Sequence, residues 1–263
     1  MRRHSPFLAL ILFSAILLAT PHARAVDTAI PRPRSSAAAF PSNIVIGFVG
    51  GFVNHDNAHH GPVQLAQRIQ RDFPTATYVR VFENRRRKQA YNDILRLLDT
   101  DRDGALSAEE KTRAHIILFG QSWGASAAVL LARDLHRSGI PVLLTVQVDS
   151  VAKLWQHDSL IPGNVAEAVN FYQTQGFVHG RRVIAAADPA KTEILGNYRM
   201  DYKKSPVQCP QASWWDRIFT PGHMQSECDP HLWSQIENLV SRRLSPQPAS
   251  TAASQADELQ PSR

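Results

Sequence analysis

The sequence has little of several features that would place it in a specialised class. Only two of its 263 residues are cysteine, too few for a disulfide-stapled scaffold but enough for one bridge. Its main apolar run, Phe7–Ala19, is shorter than the ~20 residues that span a bilayer, so a retained membrane anchor is not expected. No segment is repeated, which excludes an architecture of stacked repeats.

Met1–Ala25 has the three parts of a secretory signal. Arg2 and Arg3 give a positive start, Phe7–Ala19 is the apolar centre, and Ala23-Arg24-Ala25 offers a small-x-small cleavage site. We therefore expect an exported protein, periplasmic or extracellular. Removing this segment removes three arginines and no acids, so the formal charge falls from +6 to +3. A charge this small gives no reason to expect a nucleic-acid partner.

Stretches rich in Pro, Ser and Ala flank one predicted domain. Residues 26–42 are an expected flexible leader, and residues 245–263, with few large apolar side chains, are an expected disordered tail. Residues 43–244 between them have the size of a single domain with a substantial core. In an exported chain, Cys209 and Cys228 near the end of this domain predict a disulfide.

A strand, a tight turn and a helix are predicted around Ser122. The apolar run Ile116–Phe119 is typical of a strand buried on both faces, and Ala125–Leu131 has the composition of a helix. Between them lies a Gly-x-Ser-x-Gly motif, Gly120–Gly124, whose glycines allow a sharp turn and close packing. Such a turn holds the serine hydroxyl exposed at its tip. We predict that Ser122 is a nucleophile.

Predicted strands alternate with predicted helices along the domain, and the connections are long enough for crossovers. This pattern predicts the α/β class, with a mainly parallel sheet that has helices wound on both faces, in a single domain. The predicted strands are Asn43–Val49, Thr77–Phe82, the run that starts at His115, Pro141–Val148 and Arg182–Ala187. Helices are predicted from about Pro62, through Val165, Ala168 and Val169, and after Asp229-Pro230.

A twelve-residue segment, Asp99–Glu110, matches the calcium loop of an EF-hand. The glycine for the sharp turn stands at the sixth position, as this loop requires. Only a few residues separate the loop from the strand that leads to the serine, so the calcium would lie some ~15–25 Å from that residue. We therefore predict a structural ion. The predicted ligands are Asp99, Asp101, Asp103, the carbonyl of Ala105, Ser107 and Glu110.

Four features together resemble the α/β-hydrolase superfamily, especially its lipases and esterases. They are the Gly50-Gly51 pair after the first strand, the Gly120–Gly124 turn, an aspartate at a strand end and a late histidine before a C-terminal helix. The resemblance covers nearly all of residues 43–244. It implies a serine hydrolase that cleaves carboxylic esters or thioesters of a small molecule or a lipid, and it does not identify the substrate.

The resemblance also guides the choice of a base and an acid for the serine. The superfamily's chain order is serine, aspartate, histidine. We favour His223, in a predicted loop between the cysteines, over His231, whose ring is less free in the first turn of the last helix. The commoner arrangement in the superfamily selects Asp188 as the acid, and the arrangement of some lipases selects Asp149. The residues around Asp149 favour it, and both stay open.

An oxyanion hole is expected from backbone N–H groups of Trp123 and of Gly51 or Phe52. The serine would then form an acyl-enzyme that water releases. Two alternatives remain at this point. One is a non-catalytic, calcium-stabilised binding module that keeps the hydrolase shell. The other is an acyltransferase that uses the same three residues and passes the acyl group to an acceptor other than water.

Overall fold

The computed structural model describes residues 40–210, 212 and 214–245. Six strands form a sheet in which every neighbouring pair is parallel, and two short strands form a second sheet. The strands are β1 (Asn43–Val49), β2 (Thr77–Glu83), β3 (His115–Gln121), β4 (Val142–Val148), β5 (Leu160–Ile161), β6 (Val165–Tyr172), β7 (Ala185–Ala186) and β8 (Glu193–Arg199). The helices are α1 (Gly61–Asp72), α2 (Arg87–Leu98), α3 (Ala108–Thr112), α4 (Trp123–Arg137), α5 (Trp214–Phe219), α6 (Pro221–Cys228) and α7 (Pro230–Leu244), with a 3₁₀ turn at Asn84–Arg86.

Helices cover both faces of the large sheet because the apolar residues of its strands point alternately to either side. On β1, Ile44, Ile46 and Phe48 pack with α2 and α4. Val45 and Val49 on the same strand pack with α1 and α7 on the opposite face. The strand interiors are therefore buried on both sides. The predicted class, a mainly parallel doubly wound sheet in one domain, is confirmed.

The order of the large sheet is β2-β1-β3-β4-β6-β8. The chain first moves outward from β1 to β2, returns to β3 on the other side of β1, and then continues in that second direction. This reversal makes the carboxyl ends of β1 and β3 a topological switch point, where open α/β sheets bind their ligands. Ser122 follows β3 and the Gly50-Gly51 pair follows β1, so both lie at this point.

Two local predictions in the second half of the domain are wrong. The residues expected in a helix, Val165, Ala168 and Val169, belong to strand β6, which lies between β4 and β8. Both faces of this strand are covered, so its apolar residues show no alternation and their spacing imitates a helix. The expected strand Arg182–Ala187 is reduced to β7, which pairs only with β5, and the large sheet ends instead on β8.

The connections that follow β4 and β6 differ from those in the first half of the domain. Residues 149–164 and 173–192, all of them described, connect the strands without a helix. The small β5–β7 sheet takes that place, and Ile161 and Ile184 enter the same core as α2 and α4. Two long irregular connections therefore start at the carboxyl edge of the sheet, beside the end of β3.

Cys209 and Cys228 form a disulfide with a Cα–Cα distance of 5.5 Å, as predicted. The bridge joins the segment before α5 to the last residue of α6. Closing a loop of this length adds about 3 kcal/mol to stability in the chain-entropy description. None of the helices within the described ranges has the length and hydropathy that crossing a bilayer requires. The predicted signal, nearly all of the leader, and the tail beyond Ser245 lie outside the described residues.

Candidate active site

Ser122 occupies the sharp turn between β3 and α4. Its backbone has φ +56° and ψ −126°, a strained conformation for a residue with a side chain that costs about 1–3 kcal/mol. The turn is held to the sheet by a hydrogen bond from its N–H to the carbonyl of Val148, 2.9 Å long. A Cβ on Gly120 would overlap the backbone of Gly124, and a Cβ on Gly124 would overlap the carbonyl of Phe48. Both glycines of the motif are thus required by close backbone approach.

Ser122, His223 and Asp149 form a continuous chain of hydrogen bonds. The serine Oγ lies 2.9 Å from His223 Nε2, and His223 Nδ1 lies 2.6 Å from Asp149 Oδ2. The aspartate is fully buried, while the serine and histidine are 7% and 9% exposed. A histidine bonded in this way has its Nδ1–H directed at a carboxylate and its Nε2 placed to accept the serine proton; the amide nitrogen of Gln121 lies farther from Nε2, at 3.4 Å.

The Asp149 carboxylate is held by three further donors. Oδ1 accepts hydrogen bonds from the backbone N–H groups of Gly180, at 2.6 Å, and Gln173, at 3.3 Å. Oδ2, which faces His223, also accepts from Gln173 Nε2 at 2.7 Å. These bonds fix the direction in which the carboxylate points. Asp149 itself has φ +43°, a second strained residue beside the serine.

The other predicted acid lies elsewhere. Asp188 is in the turn before β8, beside Gly163, which precedes β6, and thus at the amino edge of the sheet. Its half-exposed carboxylate accepts a hydrogen bond from the N–H of Ala190 and pairs with Lys191 at 3.4 Å. The structure therefore brings Asp149 to the histidine and leaves Asp188 at the opposite edge.

His223 does not lie in a loop, as expected from the sequence, but in the first turn of α6. The ring reaches the serine from this position, so the argument used against His231 fails. The two histidines differ in what their rings contact. His223 Nε2 lies beside Ser122 Oγ, whereas His231 is exposed on α7 and its Nε2 lies 3.0 Å from Gln235 Nε2. The residue before His223 packs tightly: a Cβ on Gly222 would overlap the side-chain amide of Gln173.

The expected oxyanion donors lie around the loop that follows β1. A Cβ on Gly50 would come within 2.8 Å of the Cβ of Ser122, so this loop runs directly beside the predicted nucleophile. Gly51 has φ +47°, and its carbonyl accepts a 2.6 Å hydrogen bond from Asn84 Nδ2. The ring of Phe52 lies 5.5 Å from that of Trp123, the first residue of α4. The two backbone segments predicted to bind an oxyanion are therefore neighbours.

Sequence reasoning missed Asn84, Gln173 and Gly180. Asn84 follows β2 and Gln173 follows β6, both at the carboxyl edge where functional polar groups of such sheets gather. The sequence does mark Asn84, because this polar residue closely follows the predicted strand that ends at Phe82. For Gln173 no such signal exists in the sequence, because the residue spacing of β6 is that of a helix and does not mark the carboxyl end of a strand.

The predicted calcium loop lies before β3, at the opposite edge of the sheet from Ser122. Carboxylate oxygens of Asp99, Asp101 and Asp103 lie within 4.8 Å of one another. Asp99 Oδ1 is buried and has no hydrogen-bond partner among the described residues. Three converging carboxylates and an unpartnered buried oxygen fit the oxygen-rich shell that calcium requires.

Glu110, the expected bidentate ligand, is already engaged. Its carboxylate accepts hydrogen bonds from the N–H and hydroxyl of Thr100, at 2.6 and 2.8 Å, and from the N–H and hydroxyl of Ser107, both at 3.1 Å. Ser107 in turn caps α3. The bonds from Thr100 and then Ser107 lower the pKa of Glu110 to about 2. To bind an ion with both oxygens, Glu110 would have to exchange these bonds for metal contacts.

Comparison with known proteins gives only distant similarity. No family model matches the chain, and no curated protein does. Human thioesterase 2 shares 11% identity over 77% of this chain and 96% of its own, with a TM-score of 0.43. A cutinase-like protein from Cryptococcus sp. shares 11% over 79% and 97%, with a TM-score of 0.40, and an acetyl xylan esterase shares 10% over 79% and 100%, with a TM-score of 0.38. Because all three TM-scores lie below 0.5, these proteins carry no argument about this chain, and the assignment of its fold rests on its own strand order and connections.

Proposed function

We propose that this protein is a serine hydrolase that cleaves carboxylic esters or thioesters through a covalent acyl-enzyme. The observation that carries the proposal is the hydrogen-bond chain from Ser122 through His223 to Asp149. Nucleophile, base and acid stand in the order that acyl transfer by serine requires, with contacts of 2.9 and 2.6 Å. The chain lies at the switch point of the sheet, where a substrate has access.

In the proposed reaction, Ser122 Oγ attacks the substrate carbonyl carbon while His223 Nε2 takes the hydroxyl proton. Asp149 keeps the imidazole in the tautomer with its proton on Nδ1 and stabilises the imidazolium that forms. Backbone N–H groups of Trp123 and of Gly51 or Phe52 donate to the developing oxyanion, which typically gives ~3–4 kcal/mol per donor. His223 then protonates the departing alcohol or thiol. Water, activated by the same histidine, releases the acid.

We also propose a structural calcium ion in the Asp99–Glu110 loop. Asp99, Asp101 and Asp103 would provide carboxylate oxygens, and Ala105, Ser107 and Glu110 would complete the set, Glu110 after it releases its present hydrogen bonds. When bound, the ion would link the end of α2 to the start of β3. Its place at the amino edge supports a role in stability and no role in the acyl-transfer step.

Export is proposed on two grounds. Met1–Ala25 has the pattern of a secretory signal, although it lies outside the described residues. The Cys209–Cys228 bridge suits an oxidising compartment such as the periplasm or the extracellular space.

Labelling with a fluorophosphonate, which reacts with activated serines, tests the proposed chemistry. We expect the purified protein to be labelled and the Ser122→Ala variant to stay unlabelled. Ser126→Ala is the matched control, because that serine lies one turn further along α4, fully buried, with an Oγ that has no partner among the described residues. Equal labelling of Ser122→Ala and wild type would overturn the proposal. Rates on p-nitrophenyl esters of increasing chain length would then define the acyl preference.

A further inference from the structure

The most exposed large apolar side chains of the described residues lie at one edge of the sheet. Phe52, Leu154, Trp155 and Phe177 are each 81–89% exposed. Phe52 is in the connection after β1, Leu154 and Trp155 are in the connection after β4, and Phe177 is in the connection after β6. All four therefore belong to the carboxyl edge. Single exposed apolar residues are ordinary on a soluble protein, but four that share the edge of the active site need an explanation.

These side chains flank the proposed nucleophile and base. The ring of Phe52 lies 5.5 Å from that of Trp123, the residue after the nucleophile. On the other side, the ring of Phe177 lies 6.2 Å from that of Phe219, four residues before His223. The N–H of Phe177 also donates to the carbonyl of Phe219, at 3.0 Å. The apolar groups are thus placed on both sides of the site mouth.

The same edge is rich in positive charge. Among the described residues, eight cations lie at this edge, either in the connections that follow the strands or at the carboxyl end of a strand. Arg86 and Arg181 pair with the buried carboxylates of Glu83 and Asp158. The other six have no carboxylate within ion-pair distance among the described residues: Arg85, Lys153, Arg182, Arg199, Lys203 and Lys204. The acids of these described connections that are not buried are Asp56 and Asp201 at this edge and Asp188 at the amino edge.

Lys153 lies closest to the site. Its Nζ donates to Asn84 Oδ1 at 2.5 Å and stands 4.9 Å from the centre of the Trp123 ring. Burial, and then the like charge of Arg85, lower the pKa of Lys153, as expected where cations crowd together. The exposed acids Asp101 and Asp103 lie at the opposite edge. The opposite edge also carries Arg102 and Lys191, so its charges are mixed, whereas cations outnumber exposed acids at the carboxyl edge.

We propose that the carboxyl edge is a docking surface for an anionic lipid interface, which presents the ester to Ser122. Apolar side chains at a rim enter the boundary between headgroups and acyl chains, and surrounding cations are attracted to anionic headgroups. The docking step does not need the nucleophile. That the docked lipid is also the substrate rests on the proposed function.

Co-sedimentation with lipid vesicles tests this surface separately from the chemistry. The Ser122→Ala protein is mixed with vesicles of phosphatidylcholine and with vesicles of an equimolar mixture of phosphatidylcholine and phosphatidylglycerol. We expect clear binding to the anionic vesicles, weaker binding to the neutral ones, and loss of the difference at high salt. Absence of binding to either vesicle, or equal binding to both, would overturn the proposal.

Two pairs of substitutions identify the residues responsible. Leu154→Ala with Trp155→Ala should weaken binding to the anionic vesicles roughly tenfold or more, because the inserted apolar area is lost. Arg182→Gln with Lys204→Gln should weaken it about fivefold per charge. Lys191→Gln, which removes an exposed charge before β8 at the other edge, is the control and should change binding less than twofold.

The hydrolysis of a short, soluble ester separates the two proposals. All five substitutions, made in the protein with Ser122 intact, should leave this rate unchanged, since none of them touches the proposed triad. If the protein binds anionic vesicles but hydrolyses no ester, the proposed function is refuted and the docking proposal stands. If single-stranded DNA displaces the vesicles and the Leu154 and Trp155 substitutions have no effect, the edge is a polyanion site and the lipid proposal fails.

Discussion

Replacement of Asp149 by asparagine tests which aspartate is the acid of the proposed triad, a choice that the sequence leaves open between Asp149 and Asp188. Oδ1 accepts from two backbone N–H groups, of Gly180 and Gln173, whose directions the chain fixes. The asparagine oxygen must therefore occupy the Oδ1 position. Its NH₂ group then replaces Oδ2 and faces His223 Nδ1, 2.6 Å away in the native protein. A donor in that place requires Nδ1 to accept, so the ring proton moves to Nε2 and the serine loses its base.

The expected loss in kcat is about 10⁴-fold, as found when the acid of a comparable triad is changed to an amide. This corresponds to about 5 kcal/mol of activation free energy. A second effect comes from Gln173 Nε2, which donates to Oδ2 at 2.7 Å and would face another donor. A buried donor left without an acceptor costs about 1–3 kcal/mol of folding stability. The variant should therefore be nearly inactive and measurably less stable, yet folded.

The assay compares kcat on a soluble p-nitrophenyl ester for wild type, Asp149→Asn and Asp188→Asn, with thermal melts of all three. Asp188→Asn should match wild type, because that carboxylate is half exposed and makes a local hydrogen bond with the N–H of Ala190, which an amide oxygen can keep, and a surface pair with Lys191. If Asp149→Asn kept a rate within threefold of wild type while Asp188→Asn lost it, the reasoning about the acid would be refuted.

Gln173→Ala should lower kcat about tenfold with little change in KM, since it removes a donor that orients the predicted acid but touches no substrate; an altered KM alone would contradict a positioning role. Chelation should lower the melting temperature of wild type and leave Asp101→Asn unaffected, and identical shifts in both would speak against the ion. Glu110 has its pKa lowered from 4.5 to about 2, so its contribution to stability is complete above pH 4.5 and lost as the pH falls towards 2. In a metal-free acid titration, Glu110→Gln should flatten that dependence, and an unchanged curve would disprove it. Gly124→Ala should lower the free energy of unfolding by about 1–3 kcal/mol, because the new Cβ would meet the backbone of Phe48. Gly163→Ala is the control: its Cβ would make only ordinary contacts, and the free energy of unfolding should change by less than about 0.5 kcal/mol.

The first half of the domain could be predicted because its local signals agree. Strands β1, β2 and β3 are short apolar runs with turn residues at their ends, and the Gly120–Gly124 motif fixes the turn after β3. In this region propensity, pattern and topology all indicate the same structure. The prediction of parallel strands with crossover helices holds there, and it placed Ser122 and Gly51 at the same edge.

The prediction for the second half of the domain is wrong where tertiary contacts override the sequence pattern. Ala168, Val169, Asn170 and Phe171 are all buried, so β6 has neither a polar face nor a period to recognise. Its polar Asn170 bonds to Asn197 on β8, a pairing that only the assembled sheet provides. The missed strand hid the surroundings of the acid. The positions of His223 on α6 and of Glu110 between Thr100 and Ser107 likewise depend on contacts that residue spacing does not encode.

Gln173 contacts both Asp149 and the segment that carries His223. Its amide nitrogen holds Asp149, and its amide oxygen occupies the space where a side chain on residue 222 would lie, one position before His223. A larger residue at 222 requires a smaller one at 173, and a smaller one removes the donor to the acid. Substitutions at these two positions should therefore be strongly epistatic. Directed evolution that diversifies helix α6 alone will meet a narrow set of tolerated sequences, and libraries that vary residues 173 and 222 together offer the wider route.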